Sequence, residues 1–238
     1  MLRFACMGLS LSCAALTACP AAAQDGDAAG TWALSGGFDL LELRGTKGDD
    51  LFFWDGTFSY GNTRDQFMLV TNGGGALRGQ IDEVQMRLFY GRSLGNTTML
   101  LGVRKDFRPH PRDTHAAIGA QGTVGTRLNW EGYAFLSDDG DLTGETQIIY
   151  QLPLSRHFYL EPRIAIGWSA QAIGKESVKP GLTEGEGSLR LRYRLTQKAT
   201  FYTAIVHERL LGSTRCLARS GGESVGSTMA VIGFGFNL

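Results

Sequence analysis

Cysteine is nearly absent from the mature part of this 238-residue chain: Cys6, Cys13 and Cys19 lie in or beside an N-terminal apolar segment, leaving Cys216 alone. A lone cysteine closes no internal disulfide and builds no metal site by itself, so Cys216 reads as a thiol in a loop. Net charge is lacking too, with 23 Lys and Arg against 23 Asp and Glu. That balance offers no basic surface for nucleic acid. Proline is scarce at 6 while glycine reaches 33, a composition of tight turns and crowded strands. Beyond residue 23 no apolar run approaches the roughly 18 residues that a membrane-spanning helix needs.

The N-terminus reads as a targeting segment. Arg3 supplies a positive start, Phe4 to Ala18 are mostly apolar and small, and Ala21-Ala22-Ala23 offers a cleavage site before Gln24. A rival reading makes Leu16-Thr17-Ala18-Cys19 a lipoprotein signal with Cys19 lipidated; Pro20 and the clean later site favour ordinary cleavage. Both readings export the chain. The expected division is a signal peptide at 1–23, a short lead at 24–34 and one barrel domain at 35–238.

What the mature chain does contain is two-residue alternation. Leu189, Leu191, Tyr193 and Leu195 interleave with Arg190, Arg192 and Arg194, and Val84, Met86, Leu88 and Tyr90 with Glu83, Gln85 and Arg87. Such alternation gives a strand one apolar and one polar face. About twelve strands follow, near 36–45, 51–61, 65–72, 80–92, 97–108, 114–123, 127–137, 142–153, 157–171, 186–196, 199–210 and 225–238. The connections between them alternate short and long, as periplasmic turns and extracellular loops do in an outer-membrane barrel.

Charges recur in mid-strand: Asp55, Glu83, Arg87, Arg104, Asp106, Glu131, Glu145, Glu161, Arg163, Arg190, Arg192, Arg194 and Glu208. Packing them into a dry soluble core would cost several kcal/mol per ion. With the apolar faces on lipid, the charges face a polar lumen instead. The fold class is therefore all-β, a closed antiparallel transmembrane barrel, with Trp54, Tyr60, Trp130, Tyr150, Trp168 and Phe234 on the outer face. Ala230, Ile232, Phe234, Phe236 and Leu238 alternate to the end, like the terminal strand that barrel assembly machinery reads. A closed barrel has no free edge and is satisfied as a monomer in outer-membrane lipid.

From the fifth strand onward the chain resembles the copper resistance protein B family. The resemblance rests on Gly102-Val103-Arg104-Lys105-Asp106-Phe107-Arg108-Pro109, Ala116-Ala117-Ile118-Gly119, Ala134-Phe135-Leu136-Ser137-Asp138-Asp139-Gly140, Leu160-Glu161-Pro162-Arg163, Leu189-Arg190-Leu191-Arg192-Tyr193 and Glu208-Arg209. It implies an outer-membrane barrel that binds or passes copper ion, with a periplasmic copper protein as a possible partner. Family members often carry a Met- and His-rich segment before the barrel, suited to copper by its soft ligands. Gln24 to Leu34 holds neither Met nor His, a departure from that pattern.

The candidate metal ligands are His110 and His115, flanking a loop of arginines, and Met68 and Met229 in the lumen register. Ordinary loop histidines and packing methionines are the alternatives. The lumen charges have two readings, a salt-bridged plug or a selective constriction, and both can hold in a narrow barrel. A pore or structural barrel without metal chemistry is the second function class. A lipid hydrolase using His207 with Ser213 or Ser227 is the third, with no motif behind it; the chain is not expected to be an enzyme.

Overall fold

The computed structural model describes residues 30–45, 50–108 and 113–238. The expected signal peptide, residues 24–29 of the lead, and His110 lie outside them. Twelve long strands form among the described residues: β1 Ala33–Gly45, β2 Leu51–Gly61, β3 Asp65–Ala76, β4 Ile81–Leu94, β5 Thr97–Arg108, β6 Thr114–Val124, β7 Leu128–Ser137, β8 Leu142–Tyr150, β9 Phe158–Ser169, β10 Gly181–Arg194, β11 Ala199–Leu210 and β12 Gly226–Asn237. A two-residue piece, Leu152–Pro153, continues β8 past Gln151 and pairs with β9. Each strand pairs antiparallel with the next, and β12 pairs with β1 to close the ring.

Burial is inverted relative to a water-soluble protein. Leu101, Ile205, Ile164 and Ile232 stand 66, 62, 59 and 57 % exposed in mid-strand, while Arg87, Arg190, Glu42 and Asp55 are at most 1 % exposed. Only an apolar solvent accepts such an outer belt, and only a closed ring satisfies the backbone within it. Near the short-turn end Trp32 packs on Tyr60 and Phe67, and Phe67 on Tyr90. This is the aromatic girdle expected at a membrane interface.

Several boundaries differ from the sequence expectation. β3 runs on to Ala76 through Gly73-Gly74-Gly75, which pair with Trp54, Phe53 and Phe52 of β2. A Cβ at Gly73 would stand 2.6 Å from the Trp54 ring, and at Gly74 and Gly75 it would meet neighbouring backbone, so these glycines allow close strand contacts rather than a turn. β10 begins at Gly181, not 186, because a register shift lets it follow β9 to Ser169. The segment expected as a loop after β11 contains a helix, α1 (Gly212–Ser220), with Cys216 exposed on it. The alternation of connections is less strict than expected. Residues 77–80 and 138–141 close the long-loop end with four residues each, and among the wholly described connections there only 170–180 and 211–225 are long.

A bulge in β1 has consequences for the lumen. Phe38 pairs with Gly56 and Phe236, whereas pairing resumes at Leu40 with Asp55 and at Leu41 with Phe234. Asp39 is left over, and a bulge re-aims the side chain it inserts. The carboxylate of Asp39 enters the lumen beside Leu40.

Candidate functional site in the lumen and its outer mouth

The lumen is filled by its own side chains. Arg163 donates to Asp39 at 2.5 Å and to Glu161 at 2.7 Å, and Arg192 donates twice to Asp39, at 2.9 and 3.1 Å. A second layer centres on Glu42, which accepts from Arg44 at 2.8 Å, Arg190 at 3.0 Å and Tyr202 at 3.2 Å. Arg190 also donates to Ser188, and Arg44 reaches Glu208 at 2.9 Å. In a third group Arg87 donates to Glu145 at 2.5 Å and to Gln85 at 2.6 Å, under the Tyr133 and Phe135 rings. Glu131 accepts from Gln147 and Tyr133. Carboxylates held by more than one donor, as Asp39 and Glu42 are, can stay ionised out of bulk water.

Against the ionic groups pack two apolar clusters. One gathers Leu40, Phe53, Tyr202, Ala204, Val206, Met229 and Val231; the other gathers Met68, Val70, Phe89, Leu100, Ala117, Tyr133 and Phe135. Asp55 is wholly buried nearby, and neither carboxylate oxygen has a hydrogen-bond partner among the described residues.

At the long-loop end the chemistry changes from paired ions to clustered acid. Asp113, Asp138 and Asp139 place carboxylate oxygens within 4.8 Å of one another. Lys175, on the 170–180 loop, bridges two of them, donating to Asp113 at 2.9 Å and Asp139 at 2.7 Å. Those two hydrogen bonds raise the Lys175 ammonium above its ordinary value, and the same contact lowers the Asp139 carboxyl. Burial raises the Glu176 carboxyl beside it. Below the trio, Arg104 holds Asp106 through two bonds of 2.9 Å, and His115 Nδ1 stands 3.9 Å from Asp106.

Most of the charges read as lumen-facing are buried inside the ring, and two placements differ from the expectation. Arg194 is exposed at the short-turn end, over the Tyr159 ring at 5.6 Å, and does not extend the buried ladder of Arg190 and Arg192. The ladder's partners are chiefly Asp39 and Glu42 of β1, with Glu161, while Glu145 and Glu208 pair with Arg87 and Arg44. Met68 and Met229 do face the lumen, yet they sit in separate apolar clusters that hold no His, Cys or carboxylate. Gln121 Nε2 approaches Met68 Sδ at 3.8 Å. Glu83 is half-buried near the outer mouth. His207 Nδ1 lies 2.8 Å from Thr228 Oγ1, while Ser227 stands opposite Glu208 and Ser213 belongs to α1.

Sequence reasoning missed Asp39, Glu42, Arg44 and Glu186. Arg44 and Glu42 follow the alternation of β1, and this signal could have found them. Asp39 could not be found so, because the bulge breaks the period at that residue.

A closed strand ring, an apolar outer belt and a charge-filled interior define an outer-membrane β-barrel, reached by export. Within that class the chain belongs to the copper resistance protein B family: the family model described as copper resistance protein B precursor (CopB) matches residues 33–237. A copper resistance protein B homolog of Pseudomonas syringae pv. tomato is 27 % identical over 82 % of this chain, and copper resistance protein B of Escherichia coli is 27 % identical over 78 %. The chain spans 66 % and 62 % of those two proteins. Among solved structures, the NanC porin superposes with a TM-score of 0.53 over 87 % of this chain and all of its own, at 15 % identity. At that identity the likeness concerns the fold alone.

Proposed function

We propose that the protein contributes to copper tolerance at the outer membrane by holding or passing copper ion, its cargo, through groups on the barrel itself. The observation that carries this reading is the extent of the family match, which covers β1 through β12 rather than a segment before them. The lead adds no soft ligand: the described part, Gly30 to Leu34, and the residues before it back to Gln24 lack Met and His. The packed lumen favours holding at the outer mouth, or passage that waits on rearrangement of the Asp39 and Glu42 layers. Assembly by the machinery that reads the terminal strand, function as a monomer and exchange with a periplasmic copper protein belong to the same proposal.

A structural barrel without metal chemistry is the second reading, favoured by Met68 and Met229 lying in apolar clusters. Growth of a deletion strain across graded copper separates the two, with zinc and a bulky hydrophobic antibiotic as controls. Copper-selective sensitivity, restored by the wild-type copy, supports the copper role. Unchanged copper tolerance removes it, and sensitivity to the antibiotic alone assigns the barrel to the membrane barrier.

A further inference from the structure

Three guanidiniums gather at one stretch of the outer rim without a neutralising carboxylate. Arg209 is exposed at the top of β11, in the outward register of Ile205 and His207, while the alternate residues Val206 and Glu208 face the lumen. Arg215 and Arg219 stand one turn apart on α1 and share a flank of that helix. The helix is held in place: Thr214 and Ala218 are buried, and Thr214 Oγ1 accepts from the backbone N–H of Lys179 at 3.0 Å. Both Arg209 and Arg219 act on Arg215, whose guanidinium is lowered by partial desolvation and then by their repulsion. Its Nε is closed off from solvent and has no hydrogen-bond partner among the described residues. Glu223, the one carboxylate of the 211–225 loop, is not among the groups that act on Arg215. Like charges on neighbouring turns disfavour a helix, and an anion seated on the three arginines removes that repulsion.

The wall below the arginines specifies the kind of anion. The long-loop end faces outward, so this height meets the outer leaflet, whose lipopolysaccharide carries phosphates on a sugar headgroup. His207 lies one outward step down β11, its Nδ1 2.8 Å from Thr228 Oγ1. Beside it the wall is recessed: nothing stands within 4 Å of a Cβ added at Gly187, its partner on β10. One step further down stand Ile205 and its cross-strand neighbour Leu189, 62 and 47 % exposed. A free anion would use the arginines alone and would need them to converge on it. A lipid uses both levels at once, and a headgroup with more than one phosphate matches guanidiniums spread over two elements.

We propose that Arg209, Arg215 and Arg219 bind the phosphates of a lipopolysaccharide molecule of the outer leaflet, with His207 as a polar contact beneath them. Its acyl chains lie on the wall of Ile205 and Leu189. The lipid neutralises the charged flank of α1 and ties that helix to the membrane surface. The 211–225 loop is then held from outside as well as through Thr214. This site stands apart from the copper reading and needs no metal.

Lipid A, the phosphorylated and acylated part of that glycolipid, is titrated into the full barrel purified in detergent, and bound lipid is read by native mass spectrometry. Wild type is expected to retain it. Arg209→Gln, Arg215→Gln and Arg219→Gln combined weaken binding on the order of a hundredfold, at about fivefold per arginine. The charge-matched control, Arg64→Gln with Arg127→Gln and Arg156→Gln in the exposed short turns, keeps wild-type affinity. Dephosphorylated lipid A binds wild type as weakly as lipid A binds the first triple variant, and inorganic phosphate does not displace the lipid. No lipid A on wild type, or equal losses in both triple variants, overturns the site. Dephosphorylated lipid A that binds as well as the intact lipid overturns it too, and displacement by inorganic phosphate overturns it in favour of a free anion. Should the first triple variant not fold, Arg209→Gln alone decides: about fivefold weaker binding is expected, and unchanged affinity sinks the proposal.

Discussion

The contacts that close the lumen are single residues reaching across it, and their energetics are uneven. Glu42 holds three donors, so loss of Arg190 still leaves it Arg44 and Tyr202. Arg190 is in a weaker position, because without Glu42 its guanidinium keeps only Ser188 among the contacts described. A buried charge stripped of its counter-ion costs about 3–5 kcal/mol. Glu42→Gln is therefore expected to destabilise the barrel by roughly that amount, and Arg190→Met by clearly less. The double variant should cost less than the sum, since it buries no orphan charge. Urea unfolding of the barrel in lipid vesicles measures all three; equal costs for the two single variants would contradict this hierarchy. Arg190 was legible from its spacing with Arg192 on one strand face. Its partner was not, because Glu42 and Arg190 lie 148 residues apart and no local pattern marks a contact across a lumen.

Strands were the most legible elements, since each carries an apolar face that only one register can give to lipid. Legibility failed where glycine appeared. Gly73-Gly74-Gly75 has the composition of a turn, yet it is strand, and the missing side chain of Gly73 accommodates the Trp54 ring of β2. The same device operates in β12, where a Cβ on Gly233 would stand 2.3 Å from Cζ of Tyr202. Gly233→Val must push that ring aside and with it the hydroxyl bonded to Glu42. Overpacking of this kind costs about 1–3 kcal/mol, and the unfolding midpoint should fall accordingly. Gly187→Ala in β10 is the matched control: nothing lies within 4 Å of its added Cβ, so the midpoint should stay put. A similar drop in both variants would mean that strand glycines act through backbone freedom and not through the ring. Helix α1 was beyond the reach of alternation, which reports strands and is silent on what a long loop folds into.

At the scale of the whole molecule, the lumen reconciles two demands. A twelve-stranded ring is wider than the eight-stranded barrels that ordinary side chains fill, so short aliphatic residues cannot meet at its axis. The longest side chains can, and those are charged; pairing Arg163 and Arg192 with Asp39 and Glu161 lets four of them interlock at 2–3 % exposure for Glu161, Arg163 and Arg192. The porin-like ring is thus occupied rather than open, and its state is testable without reference to any metal. In planar bilayers the wild-type barrel should show no steady conductance above the bare membrane. Replacing the whole set, Asp39→Ala, Glu161→Ala, Arg163→Ala and Arg192→Ala together, removes the filling without leaving an unpaired charge, and a steady ion conductance should appear. Wild-type conductance at porin level would show that the interlocked side chains part readily in the membrane. A four-fold variant that stays closed would place the barrier in the Glu42–Arg190 layer or the two apolar clusters, and the Asp39 bulge would then serve stability and not closure.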